Sequence, residues 1–292
     1  MGTMNENERK REPLVAFWPD AMNSPTFRLL QNEGFLMQGC FKSSIPALMK
    51  SSYSQRGPLY VSLFNFSIAL ERLLKVALIL HHHLRNAGGF PDKRTLQNYG
   101  HKIQPLYVLT ERLFGSYGVK VAARCRLDEI DKGLMHLLDS FAVSGRYFNL
   151  DALAGGGSDD PLVEWNNLLT RIYEKDVSRS QRVAIERQVT ESAALTKPFT
   201  SVLQEVGLDG CKQSYEDLCH SAARMEAALP HVVWRLVKIL IPLKDLVVAL
   251  RERLHEPAFP NRGQIPFMEE FLDFVVPDRR LTIGDPNWPF WD

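Results

Sequence analysis

An all-α fold is predicted for this 292-residue chain, and three observations predict it. Apolar residues recur at steps of three or four over long stretches, the spacing of one face of an α-helix. Glycines and prolines gather between those stretches as stops. No segment alternates apolar and polar residues long enough to read as a strand ladder, and no fixed-period repeat is present.

Bulk composition sets the outer limits. Apolar residues make up 45% and charged residues 24%, near the average for a globular protein, and the length suggests about two domains. The 35 basic and 34 acidic residues nearly cancel. That balance excludes a strongly basic nucleic-acid coat and leaves only local patches for a polyanion. Composition also excludes a disordered tail protein, a collagen and a small disulfide scaffold. The four cysteines, Cys40, Cys125, Cys211 and Cys219, form no CxxC pair, which fits a reduced, cytoplasmic chain. The opening MGTMNENERKRE has no apolar run behind it, and Glu6 stands where a myristoylation pattern needs Ser or Thr. The greasiest stretch, His231 to Leu250, is interrupted by Arg235, Lys238, Pro242, Lys244 and Asp245, so no membrane span and no membrane partner is expected.

Residues 1–58, rich in proline, are expected to form short helices and loops wrapped on a neighbour. The first strong helix is predicted from about Leu59 to Leu84, with Leu63, Phe66, Leu70, Leu73, Ala77, Leu80 and Leu84 on one face. A second begins near Gly100-His101, with Pro105 in its first turn, where a missing N–H costs nothing. A third covers about Leu127 to Ala142 and turns Ile130, Leu134, Leu137, Leu138 and Phe141 inward. The run AGGGSDDP at 154–161 reads as a linker, and Asp160-Pro161 as the cap and first residue of the next helix. A boundary there divides the chain into a bundle at 59–155 and a second helical region at 156–292. In the latter, Leu162, Trp165, Leu169 and Ile172 form a stripe. Ser214 and Asp217 open a longer one through Leu218, Met225, Leu229, Val233, Leu236 and Leu240, which Pro230 and Pro242 should kink or split. A short helix is expected over 266–274, and the aromatic tail should pack on the body or on a partner.

Chemistry-bearing motifs are sparse. There is no phosphate loop, no GxSxG elbow and no zinc spacing. His81, His82 and His83 are adjacent, so on a helix they point about 100° apart and cannot share one ion. They read as a wet face at a helix end. Cys211, Cys219 and His220 read as small core and surface residues. No metal and no cofactor is expected. Arg171, Lys175, Arg179 and Arg182 recur at helical spacing and read either as a solvated face or as a track for an RNA backbone.

Three segments carry a family likeness. FNFSIALERLLK at 64–75, YGHKIQPLY at 99–107 and FAVSGRYFNLD at 141–151 together resemble the HEPN superfamily of nucleotide-binding helical domains over about residues 60–155. The resemblance implies an antiparallel bundle, commonly dimeric, in proteins of stress and phage defence. Many members are metal-independent ribonucleases, and others only bind nucleotides or partners. Nuclease members carry Arg, four to six residues, then His on a late helix. Arg94 to His101 and Arg224 to His231 meet that spacing, though the first crosses a loop and the second contains Pro230. Under this reading His101 is the general base and Arg146 the phosphate clamp. Tyr147 would stack on a base, and Asn149, Arg171, Lys175 and Arg179 would contact RNA or nucleotide. Each has a plainer reading beside it: His101 as a helix cap, Arg146 paired with Asp151, Tyr147 packed on the bundle. The different-class alternative is a non-catalytic dimeric scaffold that recruits a protein through its C-terminal helices.

Overall fold

The computed structural model describes residues 24–143, 145–156, 159–196, 205–208, 210–260, 262–285 and 288–289. Within them the chain is all-α. The one departure is a two-residue antiparallel pair, β1 (Glu205–Val206) with β2 (Lys212–Gln213).

The N-terminal part departs from expectation. In place of short wrapped pieces, α1 is one helix over Pro25–Lys50, with Pro25 in its first turn and the Ser24 hydroxyl accepting the Phe27 N–H at 3.1 Å. Pro46 sits inside it. An internal proline costs about 3 kcal/mol. The helix survives because Phe27, Leu30, Met37, Phe41, Ile45 and Leu48 all bury on one stripe, each contributing roughly 1.5–3 kcal/mol. The apolar cluster at 14–18 lies outside the described residues.

The next helix, α2 (Gly57–Arg85), matches its predicted stripe and runs antiparallel to α1. Glu33 meets Arg72 at 2.6 Å near one end of the pair, and Ser43 accepts from Asn65 at 3.0 Å near the other. After α3 (Lys93–Asn98), α4 spans Ile103–Phe114 and holds Pro105 in its first turn. Its start is capped from outside: the buried Asp139 carboxylate accepts the Ile103 N–H at 2.7 Å. Asp139 belongs to α5 (Glu129–Val143), whose five predicted inward residues are all buried. A 3₁₀ turn at Gly145–Tyr147 leads into α6 (Phe148–Leu153).

Helix α7 (Pro161–Asp176) begins as predicted, with the Asp160 carboxylate accepting the Leu162 N–H at 2.8 Å. Helix α8 covers Arg179–Thr196. Helix α9 (Tyr215–Leu254) opens on a reciprocal Ser214–Asp217 capping box and stays one 40-residue helix through Pro230 and Pro242, so the expected split does not occur. Nineteen of its residues are buried, and their packing holds the axis together where two N–H donors are missing. The predicted short helix near 266–274 is a 3₁₀ turn, Met268–Leu272, followed by α10 (Arg279–Gly284). The tail packs on the body: Trp288 is buried and its indole N–H donates to the Phe274 carbonyl at 2.8 Å.

Helices on both sides of Gly155 and Gly156 share one core. Helix α7 lies on α5 and α9, α9 also lies on α2 and α8, and the buried cluster runs from Leu30 to Trp288. No helix among the described residues is long and apolar enough to cross a membrane.

Candidate functional site

Two helix ends meet the middle of a third helix around one buried charge. Arg235 on α9 is 3% exposed. Its guanidinium donates to Asp128 at 2.9 Å and Asp131 at 2.8 Å, both at the start of α5, and to Asp176 at 2.6 Å, the last residue of α7. Lys238 pairs with Asp131, and Lys175 with Asp128 at 2.8 Å. Three cations thus face three carboxylates, which is what keeps charges tolerable in a site this dry. Burial alone would raise the Asp128 pKa, but Lys175, the Asp131 backbone N–H and Arg235 hold it well below the usual carboxylate range. Asp128 also accepts the Ile130 and Asp131 N–H groups, so the cluster caps α5 as well as anchoring α7.

That anchor positions a cleft beside it. Asp176 is followed two residues later by Ser178, and α8 then presents Arg179 and Arg182 in its first turn. With Tyr173 of α7 and Arg224 of α9 they line a cavity of about 510 Å³, closed by Thr170, Glu174, Val183 and Glu186. The volume falls in the range of small-molecule sites, about 300–1,000 Å³. Glu186 is the hub. Its Oε1 accepts from Arg224 Nε at 3.0 Å and lies 2.9 Å from Nη2, and its Oε2 lies 2.8 Å from His220 Nδ1. The Arg224 guanidinium sits 6.0 Å from the Tyr173 ring centre. The Tyr173 hydroxyl is buried with no well-formed hydrogen bond among the described residues. Burial raises its pKa and Glu186 adds to the rise, while Arg224 and Arg182 oppose it. A neighbouring hollow of about 440 Å³, lined by Asp128, Glu129, Ile130, Arg171, Glu174 and Lys175, shares Glu174 with the cleft. Comparison of the chain with known protein families, with curated proteins and with solved structures finds no match.

The basic stripe at 171–182 therefore exists, but on two helices. Arg171 and Lys175 border the smaller hollow, and Lys175 is occupied by Asp128; Arg179 and Arg182 border the cleft. Glu186 and His220 were not legible as partners, because 34 residues separate them and only the packing of α8 on α9 joins them.

His101 stands elsewhere, on the turn before α4. Its Nδ1 lies 2.9 Å from Glu71 and 3.2 Å from Lys75, both on α2, and Glu71 and Lys75 pair at 2.7 Å. The ring is 80% exposed. The carboxylate can orient the imidazole and leave Nε2 for proton transfer. Arg146 lies on the turn at 145–147, and its side chain falls outside the described residues; Tyr147 on that turn is half exposed, and Asn149 is exposed at the start of α6. Among the described residues, the hydrogen-bond partners of His101 are Glu71 and Lys75, both on α2. Arg224 and His231 share α9, but Arg224 is held by Glu186 while His231 Nδ1 accepts from Arg279 at 2.7 Å.

The histidine run differs from the wet face expected of it. His83 is buried, stacked on Phe90 with ring centres 4.2 Å apart, and His81 Nδ1 bonds the Tyr117 hydroxyl at 2.7 Å. The end of α2 is covered by the segments at 86–92 and 255–260, so only part of this face meets water. No group of three or more metal-ligating side chains occurs among the described residues.

Proposed function

We propose that this chain binds RNA or nucleotide through the cleft between α7, α8 and α9, in the stress- or phage-response setting that the HEPN resemblance implies. One observation carries the reading: three guanidinium groups, Arg179, Arg182 and Arg224, line a nucleotide-sized cavity, and only Arg224 is paired with a carboxylate among the described residues. Arginine suits this task because its planar fork of N–H groups matches phosphate oxygens. Arg171 in the adjoining hollow, beside the Asp128-paired Lys175, adds a further guanidinium and favours an extended strand over a lone nucleotide.

Fluorescence anisotropy with a short labelled single-stranded RNA in EDTA tests it. Binding that weakens linearly in log salt is expected. Arg179→Ala/Arg182→Ala should weaken it about tenfold or more, the size of a lost charged hydrogen bond. No binding at low salt, or equal binding by the double variant, overturns the reading.

Cleavage is the catalytic extension of this proposal. The His101–Glu71 contact supports His101 as the base in a metal-free transfer of the phosphodiester to the 2′-OH, with Arg146 as the clamp. RNA cut in EDTA by the purified chain, and left intact by His101→Ala and by Arg146→Ala, is the expected result. Intact RNA with the unchanged chain removes the extension and leaves binding alone.

A scaffold reading rests on a different face. Leu29 and Leu36 on α1 and Val61 on α2 are exposed on one antiparallel pair. Homodimerisation through that pair predicts that Leu36→Asp turns a dimer into a monomer in sedimentation. A monomer at every concentration of the unchanged chain sinks it.

A further inference from the structure

A second cleft lies where α2, α4 and α9 end. His81, Leu84 and Arg85 from α2, Leu113 from α4, Ser116 and Tyr117 beyond it, and Arg253, Glu256, Ala258 and Phe259 from α9 and its exit enclose about 730 Å³. Tyr117 is its centre. His81 Nδ1 fixes the phenol at 2.7 Å, and the Arg253 guanidinium lies 5.6 Å from the ring centre. Both Arg253 and Arg85 lower the phenol's pKa against the burial that raises it, so both charges reach the same ring.

The walls are built independently of any ligand. Phe259 packs on the buried ring of His83, which stacks on Phe90. Gly88, at φ 87°, folds the chain back so closely that a side chain there would press on Pro260.

Arginines at helix ends often serve only to offset the negative end of the helix dipole by bonding its last carbonyls. Here the ends of α2 and α9 are closed by backbone instead: the Asn86 N–H donates to His82 O, and the His255 N–H to Arg251 O. Neither Arg85 nor Arg253 pairs with a carboxylate or a carbonyl among the described residues. Two guanidinium groups without a carboxylate partner among the described residues, Arg253 resting on the Tyr117 ring, therefore share a cavity with Glu256 and an apolar wall of Leu84, Leu113 and Phe259.

We infer that this cleft binds a small organic anion with a flat apolar body, a phosphate monoester or a carboxylate, its charge held between Arg85 and Arg253 and its body against Leu84 and Phe259. The site is separate from the RNA cleft and needs no part of that reading. Isothermal titration of the full chain in the Arg179→Ala/Arg182→Ala background keeps the other arginines from reporting. The probes are phenyl phosphate, benzoate and inorganic phosphate. One-to-one binding of phenyl phosphate or benzoate is expected, tighter than inorganic phosphate because only they use the apolar wall. Whichever of the two binds tighter names the head group. Arg253→Ala and Arg85→Ala should each weaken that binding about tenfold or more, with unchanged thermal melting as the check on folding. No heat with any probe overturns the inference, as does binding that neither variant alters. Inorganic phosphate binding as tightly as phenyl phosphate overturns the role of the apolar wall. Should an alanine variant melt early, Arg253→Gln and Arg85→Gln repeat the measurement with the stem kept.

Discussion

Arg235 and Asp131 meet at 2.8 Å with side chains 4% and 0% exposed, so the bond that ties α9 to α5 is made almost wholly out of water. Removing one partner strands the other. Arg235→Ala is expected to cost about 3–5 kcal/mol, because three carboxylates lose their shared donor in a dry site. Urea denaturation reads this directly, and a loss below about 1 kcal/mol would show the cluster to be solvated in solution. Arg235→Met and Lys238→Met with Asp131→Leu and Asp176→Leu should recover much of the loss, since apolar replacements leave fewer charges to desolvate and no buried cation without its carboxylate.

Glu186 occupies the guanidinium that a phosphate would use. Glu186→Gln frees Arg224 and removes a negative charge from the cleft. RNA affinity is expected to rise about two- to fivefold, the scale of a surface charge pair. A fall in affinity in the same anisotropy titration would mean that Glu186 holds Arg224 in place for the ligand.

Four histidines give the fold an acid limit. Burial is the main cause that lowers the pKa of His81, His83, His231 and His255 from the ordinary 6.5. The folded chain then binds fewer protons than the unfolded chain below about pH 6.5, so stability falls as pH falls through that range. Melting temperature should be flat above about pH 7 and decline toward pH 5. His83→Phe, which keeps the stack on Phe90, should flatten part of that decline. Asp128 acts further into acid: its lowered pKa contributes stability above the unfolded value of 3.8, lost as pH drops toward the folded one.

Gly34 lets α1 approach the turn at Met268–Leu272. A Cβ there would collide with the Phe271 ring. Gly34→Ala gains about 0.5–1 kcal/mol of helix preference but forces a ring that is 8% exposed to move. A net loss of about 1–2 kcal/mol is expected. Phe271→Leu in the same chain should reduce it, and additive losses in that double-mutant cycle would break the link.

Much of the architecture was legible because it is local. The α5 stripe of Ile130, Leu134, Leu137, Leu138 and Phe141 follows one period, and Asp160-Pro161 announces a helix start without help from elsewhere. Misreadings came where tertiary burial outweighs a local penalty. Pro46, Pro230 and Pro242 look like breaks, yet each lies within a continuous helix whose apolar face is covered. The site divides in the same way. Arg171, Lys175, Arg179 and Arg182 showed as a periodic run, while Glu186 with His220, and His101 with Glu71, are pairs made only by packing and leave no spacing to read.

Helix α9 carries Arg224 near its beginning and Arg253 at its end, with no interruption between. At about 1.5 Å of rise per residue, those two positions stand roughly 40 Å apart along a single rod. The helix is thus a ruler. A ligand of nucleotide size can sit at one mark or the other, and only a molecule several nucleotides long could touch both at once.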